Sequence, residues 1–248
     1  MMLQVQPRLR RLILIGTPLL TGILLLFHPV ADLAETAHVE HPGELDVYAF
    51  IAPVADRFLA VHALFALALA LLGLSVVLLL NGGRSIAAKI SRVSAFVFVV
   101  TFIMYETIVG TATALLVRGA AALPASEQAV IGDAVNRIWR DPILGDGPSL
   151  LSGVATLSWL LAVTLAAFAL RRSGKPLIPC MLLGLSFIFV FHGPPLGPIG
   201  MLLFLLAVVA IERAGSPVVA NGENETRSAS YSTNWEAKDD EQVTVQYP

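Results

Sequence analysis

The chain has 248 residues, of which 56% are hydrophobic and only 14% are charged, and its formal net charge is −2. Soluble domains carry roughly 25% charged residues, so this composition is typical of a membrane protein and excludes an ordinary soluble domain. No basic stretch is interleaved with aromatic residues, so nucleic acid is not expected as a partner. The single cysteine, Cys180, excludes an intrachain disulfide and a CxxC site.

Apolar segments of about the length of a bilayer recur along the chain. We predict an all-α, polytopic transmembrane helical bundle that occupies residues 12–211 and has the lipid bilayer as its partner. The six predicted spans cover residues 12–27, 58–80, 93–117, 149–170, 176–191 and 196–211. The last two would each cover only about 24 Å as helices, so their ends need local thinning of the bilayer or shielding by protein.

The first apolar segment has a second interpretation. Residues 1–11 contain Arg8, Arg10 and Arg11, and a charged stretch before a short apolar run is also typical of a signal peptide. Cleavage within residues 1–34 would then remove the segment. Because the run is slightly too long for a signal peptide and no A-x-A site follows, we predict a first membrane helix.

The distribution of basic residues predicts the orientation in the membrane, since Lys and Arg near span ends favour the cytoplasmic side. Three connections on one side contain three basic residues each: residues 1–11, 81–92 and 171–176. The alternate connections contain one, three and none: residues 28–57, 118–149 and 192–195. We therefore predict a plasma-membrane protein with both termini in the cytoplasm.

Two segments outside the spans have a distinct character. Residues 126–140 show apolar residues at helical spacing and predict an external amphipathic helix, which ends near Trp139. Such a helix would lie in the membrane interface, or alternatively would cover the mouth of the bundle as a lid. Residues 214–248 are rich in Ser, Asn, Thr, Asp and Glu, and we predict a disordered cytoplasmic tail.

Glu106 is the one Asp, Glu, Lys or Arg inside an apolar segment long enough to cross the membrane. Roughly 16 Å of helix separates it from the end of its segment, which predicts a position near the midplane of the bilayer. A carboxylate there should face protein or water and is a functional-site hypothesis. It has three interpretations: a packing residue hydrogen-bonded to Thr17 and Thr21, the protonatable group of a carrier, or a ligand-binding or catalytic group.

Other polar and small residues share the helix of Glu106. Helical spacing places Gly110 and Thr113 on the same face and Tyr105 in an adjoining polar strip. Gly110 and Ala114 form a small-xxx-small pair, which favours close approach of a neighbouring helix. We therefore include Tyr105 and Thr113 in a predicted intramembrane polar site.

Three histidines mark predicted span ends: His28, His62 and His192. If these ends meet in the bundle, the imidazoles would converge at its outer mouth, where they are either interfacial residues or ligands of a transition metal or haem iron. His38 and His41 lack the helical context of a metalloprotease motif.

We find no G-x-S-x-G, P-loop, G-x-G-x-x-G or H-E-x-x-H motif, which disfavours an enzyme. The first hypothesis is a non-enzymatic membrane protein without a cofactor, in which Glu106 is chiefly a packing residue. The alternatives are a proton-coupled carrier for a small solute that uses Glu106, and a membrane redox subunit that binds haem or a metal.

Several short motifs follow one another in a fixed order along the chain. They are His28-Pro29, Val61-His62, Ser91-Arg92, Tyr105-Glu106, Gly110 to Thr113 and His192-Gly193-Pro194. In these motifs the chain resembles a group of uncharacterised bacterial multi-pass membrane proteins. The resemblance covers most of residues 12–211; it implies a six-helix membrane fold and no particular function.

Overall fold

A computed structural model describes residues 6–29, 46–146 and 149–214. These ranges contain helices, turns and bends and no β-strand, so the predicted all-α class is confirmed. The predicted tail, residues 214–248, lies outside the described residues beyond Ala214, and so do His38, His41 and residues 1–5.

Within the described ranges, five helical stretches are long and apolar enough to cross a membrane: Pro7–Leu26, Val47–Leu79, Ile86–Ala120, Leu150–Arg172 and Leu196–Ala214. The remaining predicted span, 176–191, is a shorter apolar helix, Leu177–Val190. It combines nine α-helical and five 3₁₀-helical residues. At roughly 1.5 and 2.0 Å per residue, it covers about 24 Å.

The elements in chain order are α1 (Pro7–Leu26), α2 (Val47–Ile51), α3 (Ala55–Leu79), α4 (Ile86–Tyr105), α5 (Thr113–Ala120), α6 (Ala125–Trp139), α7 (Leu150–Arg172), α8 (Leu177–Leu185) and α9 (Leu196–Ala214). A π-helical segment, Glu106–Ala112, joins α4 to α5. Short 3₁₀ segments, Ala52–Val54 and Ser186–Val190, precede α3 and follow α8.

Local sequence signals explain where several helices begin and end. Pro7 opens α1, where its missing N–H costs nothing. Ser85 and Ser149 cap α4 and α7 by accepting hydrogen bonds from backbone N–H groups three residues later. Helix α3 stops before Gly82, whose φ of 86° only glycine adopts readily.

Six elements close into a ring in which each packs against two neighbours, in the order α1, α3, α4, α7, α8 and α9, and back to α1. Large buried side chains fill the centre: Phe65, Phe98, Trp159, Phe189 and Phe204. The outer faces carry exposed apolar side chains, such as Leu12, Leu19 and Ile23 of α1. An apolar outer surface around an apolar core is typical of a bundle surrounded by lipid, and the protein is membrane-embedded.

A second, smaller layer covers one end of the ring. Helices α2, α5 and α6 pack against each other and against the start of α3. Their shared cluster includes Ile51, Phe58, Val117 and Val135, all fully or almost fully buried. Helix α6, which lies where residues 126–140 were predicted to form an amphipathic helix, thus packs on protein over the bundle end.

Candidate functional site

The carboxylate of Glu106 is buried at the point where α4 becomes π-helical, and only 1% of the residue is exposed. One oxygen, Oε2, lies 3.6 Å from Nε2 of His62 on α3. The other oxygen, Oε1, is buried and has no hydrogen-bond partner in the described ranges. A buried polar atom without a partner is costly and calls for a specific explanation.

The π-helical segment changes the surroundings of Glu106. The hydroxyl of Thr113 donates to the carbonyl of Ile108, five residues earlier, at 3.3 Å. The indole N–H of Trp139 donates to the carbonyl of Val109 at 3.1 Å and lies 3.3 Å from the Thr113 hydroxyl. Trp139 of α6 therefore binds a carbonyl group of this irregular turn, although the two are far apart along the chain. Such π-helical turns occur frequently at functional sites.

His62 is held in one orientation on three sides. Its Nδ1 lies 2.7 Å from the carbonyl of Phe58, one turn earlier in α3. Its ring stacks on the Phe58 ring with centroids 4.0 Å apart. On the opposite helix the ring lies directly against Gly110, where a β-carbon would come within 2.0 Å of Cδ2. The group that closely approaches Gly110 is therefore the imidazole of His62.

The structure brings His28 and His192 to the same place. Nε2 of His28 lies 3.3 Å from Nε2 of His62, and its Nδ1 lies 2.9 Å from the carbonyl of Pro29. The ring of His192 meets the His28 ring edge to face, with centroids 4.9 Å apart. Burial, with smaller contributions from His192 and His62, lowers the pKa of His28 to about 3. Burial likewise lowers the pKa of His192.

Tyr105 and Asp146 form a second pair of polar groups beside the histidines. The Tyr105 hydroxyl donates a short hydrogen bond to Oδ1 of Asp146, in the turn before α7. Asp146 also acts on His192, where its negative charge favours the protonated imidazole and opposes the effect of burial. Two acidic side chains and three imidazoles thus share one end of the bundle.

These groups surround a cavity of about 160 Å³. Its polar lining consists of His28, His62, Tyr105, Glu106, Trp139, Asp146 and His192. The rings of Phe102 and Phe65 pack next to His192 outside the cavity lining, 5.9 and 6.5 Å away from its ring, centroid to centroid. The cavity has room for several water molecules or one small solute.

The level of the site along the bundle follows from α1. His28 lies two residues beyond Leu26, the last residue of that helix, and contacts His62. Because His62 contacts Glu106 in turn, the carboxylate lies near the C-terminal end of α1 rather than beside its middle. The midplane position, which rests on the length of the Glu106 segment, stays a prediction.

Three residues of the predicted polar site lie elsewhere. Thr17 and Thr21 are buried in α1 but do not line the cavity, and the Thr21 hydroxyl donates to the carbonyl of Thr17 at 2.8 Å. Thr113 is buried behind the cavity, next to Trp139. The hydrogen bonds predicted between Glu106 and the two threonines of α1 are not among those formed.

Two members of the site are absent from the predicted set. Asp146 follows a turn, and nothing in its sequence neighbourhood distinguishes it from an ordinary loop carboxylate. Trp139 is visible as the aromatic residue of the amphipathic helix, but its contact with Val109 depends on how α6 folds back. From the sequence, a place for Trp139 in the site is indicated only by the interpretation of α6 as a lid.

Within residues 6–29, 46–146 and 149–214, no group of three or more His, Cys, Asp or Glu side chains is arranged to hold a metal ion. The metal or haem hypothesis for His28, His62 and His192 therefore gains no support from their convergence. Comparisons with protein-family models, with curated proteins and with solved structures find no match to this chain.

Proposed function

We propose that the protein is a carrier of the plasma membrane for a small cationic solute, and that Glu106 exchanges a proton for that solute. The observation that carries the proposal is Oε1 of Glu106, which lies on the wall of a cavity and has no hydrogen-bond partner among the described residues. A carboxylate oxygen in that position can accept a hydrogen bond from a solute or contact a cation directly. A charged group inside a membrane protein is by default a functional-site hypothesis.

The chemistry of the lining supports a cationic solute. Carboxylate oxygens only accept hydrogen bonds when ionised, and both Glu106 and Asp146 face the cavity. A volume of about 160 Å³ limits the solute to a few non-hydrogen atoms. Exchange against a proton would keep the charge of the buried site constant, which avoids leaving an isolated carboxylate in an apolar surrounding.

Irregular helices next to the cavity support a carrier in particular. The π-helical segment begins at Glu106, and the helical structure is interrupted between Val190 and Leu196, next to His192. Carriers commonly build their sites from interrupted helices, whose freed backbone groups and local irregularity allow movement. Phe65 and Phe102 belong to the buried core next to His192, so transport to the other end requires this core to open.

A purely structural role for Glu106 is less well supported. A residue that locks helices together by hydrogen bonds should have both oxygens satisfied, because an unsatisfied buried acceptor costs about 1–3 kcal/mol. Here Oε1 has no partner in the part of the chain that the structure describes, and the predicted threonine partners do not line the cavity. The carrier hypothesis explains the free oxygen, whereas the packing hypothesis does not.

The charges at the two ends of the bundle support six spans with cytoplasmic termini. In the described ranges, the end opposite the cavity carries ten basic residues: Arg8, Arg10, Arg11, Arg84, Lys89, Arg92, Arg171, Arg172, Lys175 and Arg213. The end with the cavity carries four: Arg57, Arg118, Arg137 and Arg140. This bias favours a cytoplasmic location for the first end. The cavity would then face the outside, and Leu177–Val190 would be the short sixth span.

Proteoliposomes that contain a trapped pH-sensitive dye test the function. Guanidinium, tetramethylammonium, sodium and manganese chlorides are added outside in turn. We expect at least one of these cations to make the interior alkaline, because a proton leaves as the cation enters. Glu106→Gln should abolish the response, whereas Glu127→Gln, on the exposed surface of α6, should retain it. Wild-type protein that is correctly inserted but behaves like protein-free liposomes with every cation would overturn the carrier function.

A further inference from the structure

Three close polar contacts follow one another through the rings of His28 and His62. They join the Phe58 carbonyl to Nδ1 of His62 at 2.7 Å, the two Nε2 atoms at 3.3 Å, and Nδ1 of His28 to the Pro29 carbonyl at 2.9 Å. Each contact needs one hydrogen, since two lone pairs would otherwise face each other. Two neutral imidazoles carry only two N–H hydrogens. The chain of contacts therefore requires a third proton.

A third proton gives the histidine pair a positive charge, which must be compensated inside the protein. Burial, followed by the nearby His192 and His62, lowers the pKa of His28, so a charge on that ring alone is unfavourable. Among the described residues, the carboxylate that contacts the pair is Glu106, whose Oε2 lies 3.6 Å from Nε2 of His62. That separation is too long for a hydrogen bond but suits an ion pair between a protonated histidine pair and a carboxylate.

Among the residues that the structure describes, the other titratable groups that face this trio are Tyr105, Asp146 and His192. Asp146 already accepts a hydrogen bond from the Tyr105 hydroxyl. The His192 ring meets His28 edge to face and is not part of the chain of three contacts. Glu106, by contrast, contacts the pair directly, and its Oε1 has no hydrogen-bond partner among the described residues. Glu106 is therefore the group that balances the third proton.

We infer that His28, His62 and Glu106 hold one proton in common, which rests between the two Nε2 atoms while Glu106 is ionised. The trio as a whole is then neutral. When the histidine pair is disrupted, the N–H bond at Nε2 breaks and the same proton passes to a Glu106 oxygen, which leaves two neutral imidazoles and a carboxylic acid. His28, at the end of α1, is the member nearest the mouth of the cavity.

The pair also supplies a route for the exchanged proton, and this part of the inference rests on the proposed carrier function. A cation that arrives at Glu106 replaces the positive charge of the shared proton. The proton then leaves from Nε2 to water at the mouth, and the charge of the site stays the same. The sharing itself does not depend on transport.

Infrared spectroscopy at pH 7 tests where the proton rests, because a protonated carboxyl group has a C=O stretching band that a carboxylate lacks. The spectrum of wild type minus Glu106→Gln should show no carboxylic-acid band. The spectrum of His28→Gln minus the double variant His28→Gln/Glu106→Gln should show one. A band already present in wild type, or no band in His28→Gln, would overturn the inference.

His192→Gln is the matched control, since this ring lines the same cavity but lies outside the chain of contacts. It should leave Glu106 ionised and show no new band. A band as large as that of His28→Gln would attribute the effect to general disturbance of the cavity and would also overturn the sharing.

A second measurement needs no substitution. In wild-type protein with ¹⁵N-labelled histidine, a proton shared by two nitrogens should produce scalar coupling between the two Nε2 nuclei. Two uncoupled, unprotonated Nε2 atoms would contradict the inference. If the spectra agree with a shared proton while no cation changes the internal pH of proteoliposomes, the carrier function fails alone. Transport combined with a protonated Glu106 in wild type would refute only the sharing.

Discussion

The imidazole of His62 lies against the backbone of Gly110, and no side chain fits between them. A β-carbon at position 110 would stand 2.0 Å from Cδ2 and 2.4 Å from Cγ of the ring. The ring cannot move away freely, because its Nδ1 is held by the Phe58 carbonyl and its face stacks on the Phe58 ring. The position of His62 beside Glu106 therefore depends on the absence of a side chain at residue 110.

Gly110→Ala should destabilise the protein and impair the site. The added methyl group must displace the His62 ring, and overpacking of this kind costs about 1–3 kcal/mol. We expect a lower thermal unfolding temperature in detergent and loss of any cation-driven pH response in proteoliposomes.

Gly119→Ala is the matched control in the same stretch of helix, since a β-carbon there meets nothing within 4 Å. Alanine favours a helix over glycine by up to about 1 kcal/mol, so this variant should be as stable as wild type or slightly more so. Equal unfolding temperatures for the two variants would show that the contact with His62 does not restrict position 110.

Trp139→Phe should weaken the attachment of α6 to the π-helical segment. The substitution keeps an aromatic ring but removes the N–H that donates to the Val109 carbonyl at 3.1 Å. Loss of one such hydrogen bond costs about 1 kcal/mol. We expect a lower unfolding temperature, together with faster hydrogen exchange of backbone amides in residues 106–112.

A double-mutant cycle with Thr113→Val separates the hydrogen bond from the loss of ring volume. The Thr113 hydroxyl lies 3.3 Å from the indole nitrogen, so the two substitutions should be non-additive by at least about 0.5 kcal/mol. Effects that simply add would mean that the indole N–H does not interact with the Thr113 hydroxyl.

The helical class and most of the helices could be predicted from the sequence, because the length and composition of apolar segments determine them. The start of α1 could not be placed: the prediction begins at residue 12 and the helix begins at Pro7. Charged residues at a span end are not excluded from a helix when their side chains reach outward. Arg10 does so, and its guanidinium forms an ion pair with Glu212 of α9 at 2.5 Å.

The site itself was only partly predictable. Glu106 and the histidines could be identified from the sequence alone. A charged residue in an apolar segment can be recognised there, and so can polar residues at span ends. The π-helical segment could not, since Trp139, some 30 residues away along the chain, binds one of its carbonyl groups. The contact between His28 and His62 likewise requires the ring of helices to close.

Acid should destabilise the protein through His192, a half-buried residue outside the membrane-spanning helices. Burial lowers its pKa below the ordinary value of 6.5, although Asp146 opposes this shift. As the pH falls below 6.5, the unfolded chain takes up a proton that the folded protein does not. The free energy of unfolding should therefore decrease by up to about 1.4 kcal/mol per pH unit until the folded-state pKa is reached.

His192→Phe isolates this contribution, since Phe65 and Phe102 already surround the ring. Unfolding temperatures of both proteins are compared at pH 7.5 and pH 5.5. The wild-type protein should lose more stability between the two conditions than the variant does. A decrease of the same size in both proteins would mean that His192 takes up its proton equally well in the folded state.

The orientation in the membrane can be tested by labelling, because Cys180 is the single cysteine of the chain. On a Cys180→Ala background, Ala121→Cys places a thiol in the exposed turn after α5, and Asn81→Cys places one in the exposed turn after α3. A membrane-impermeant maleimide applied to intact cells should label the first variant and not the second. After lysis it should label both. Labelling of Asn81→Cys in intact cells would invert the proposed topology and place the cavity with Glu106 on the cytoplasmic side.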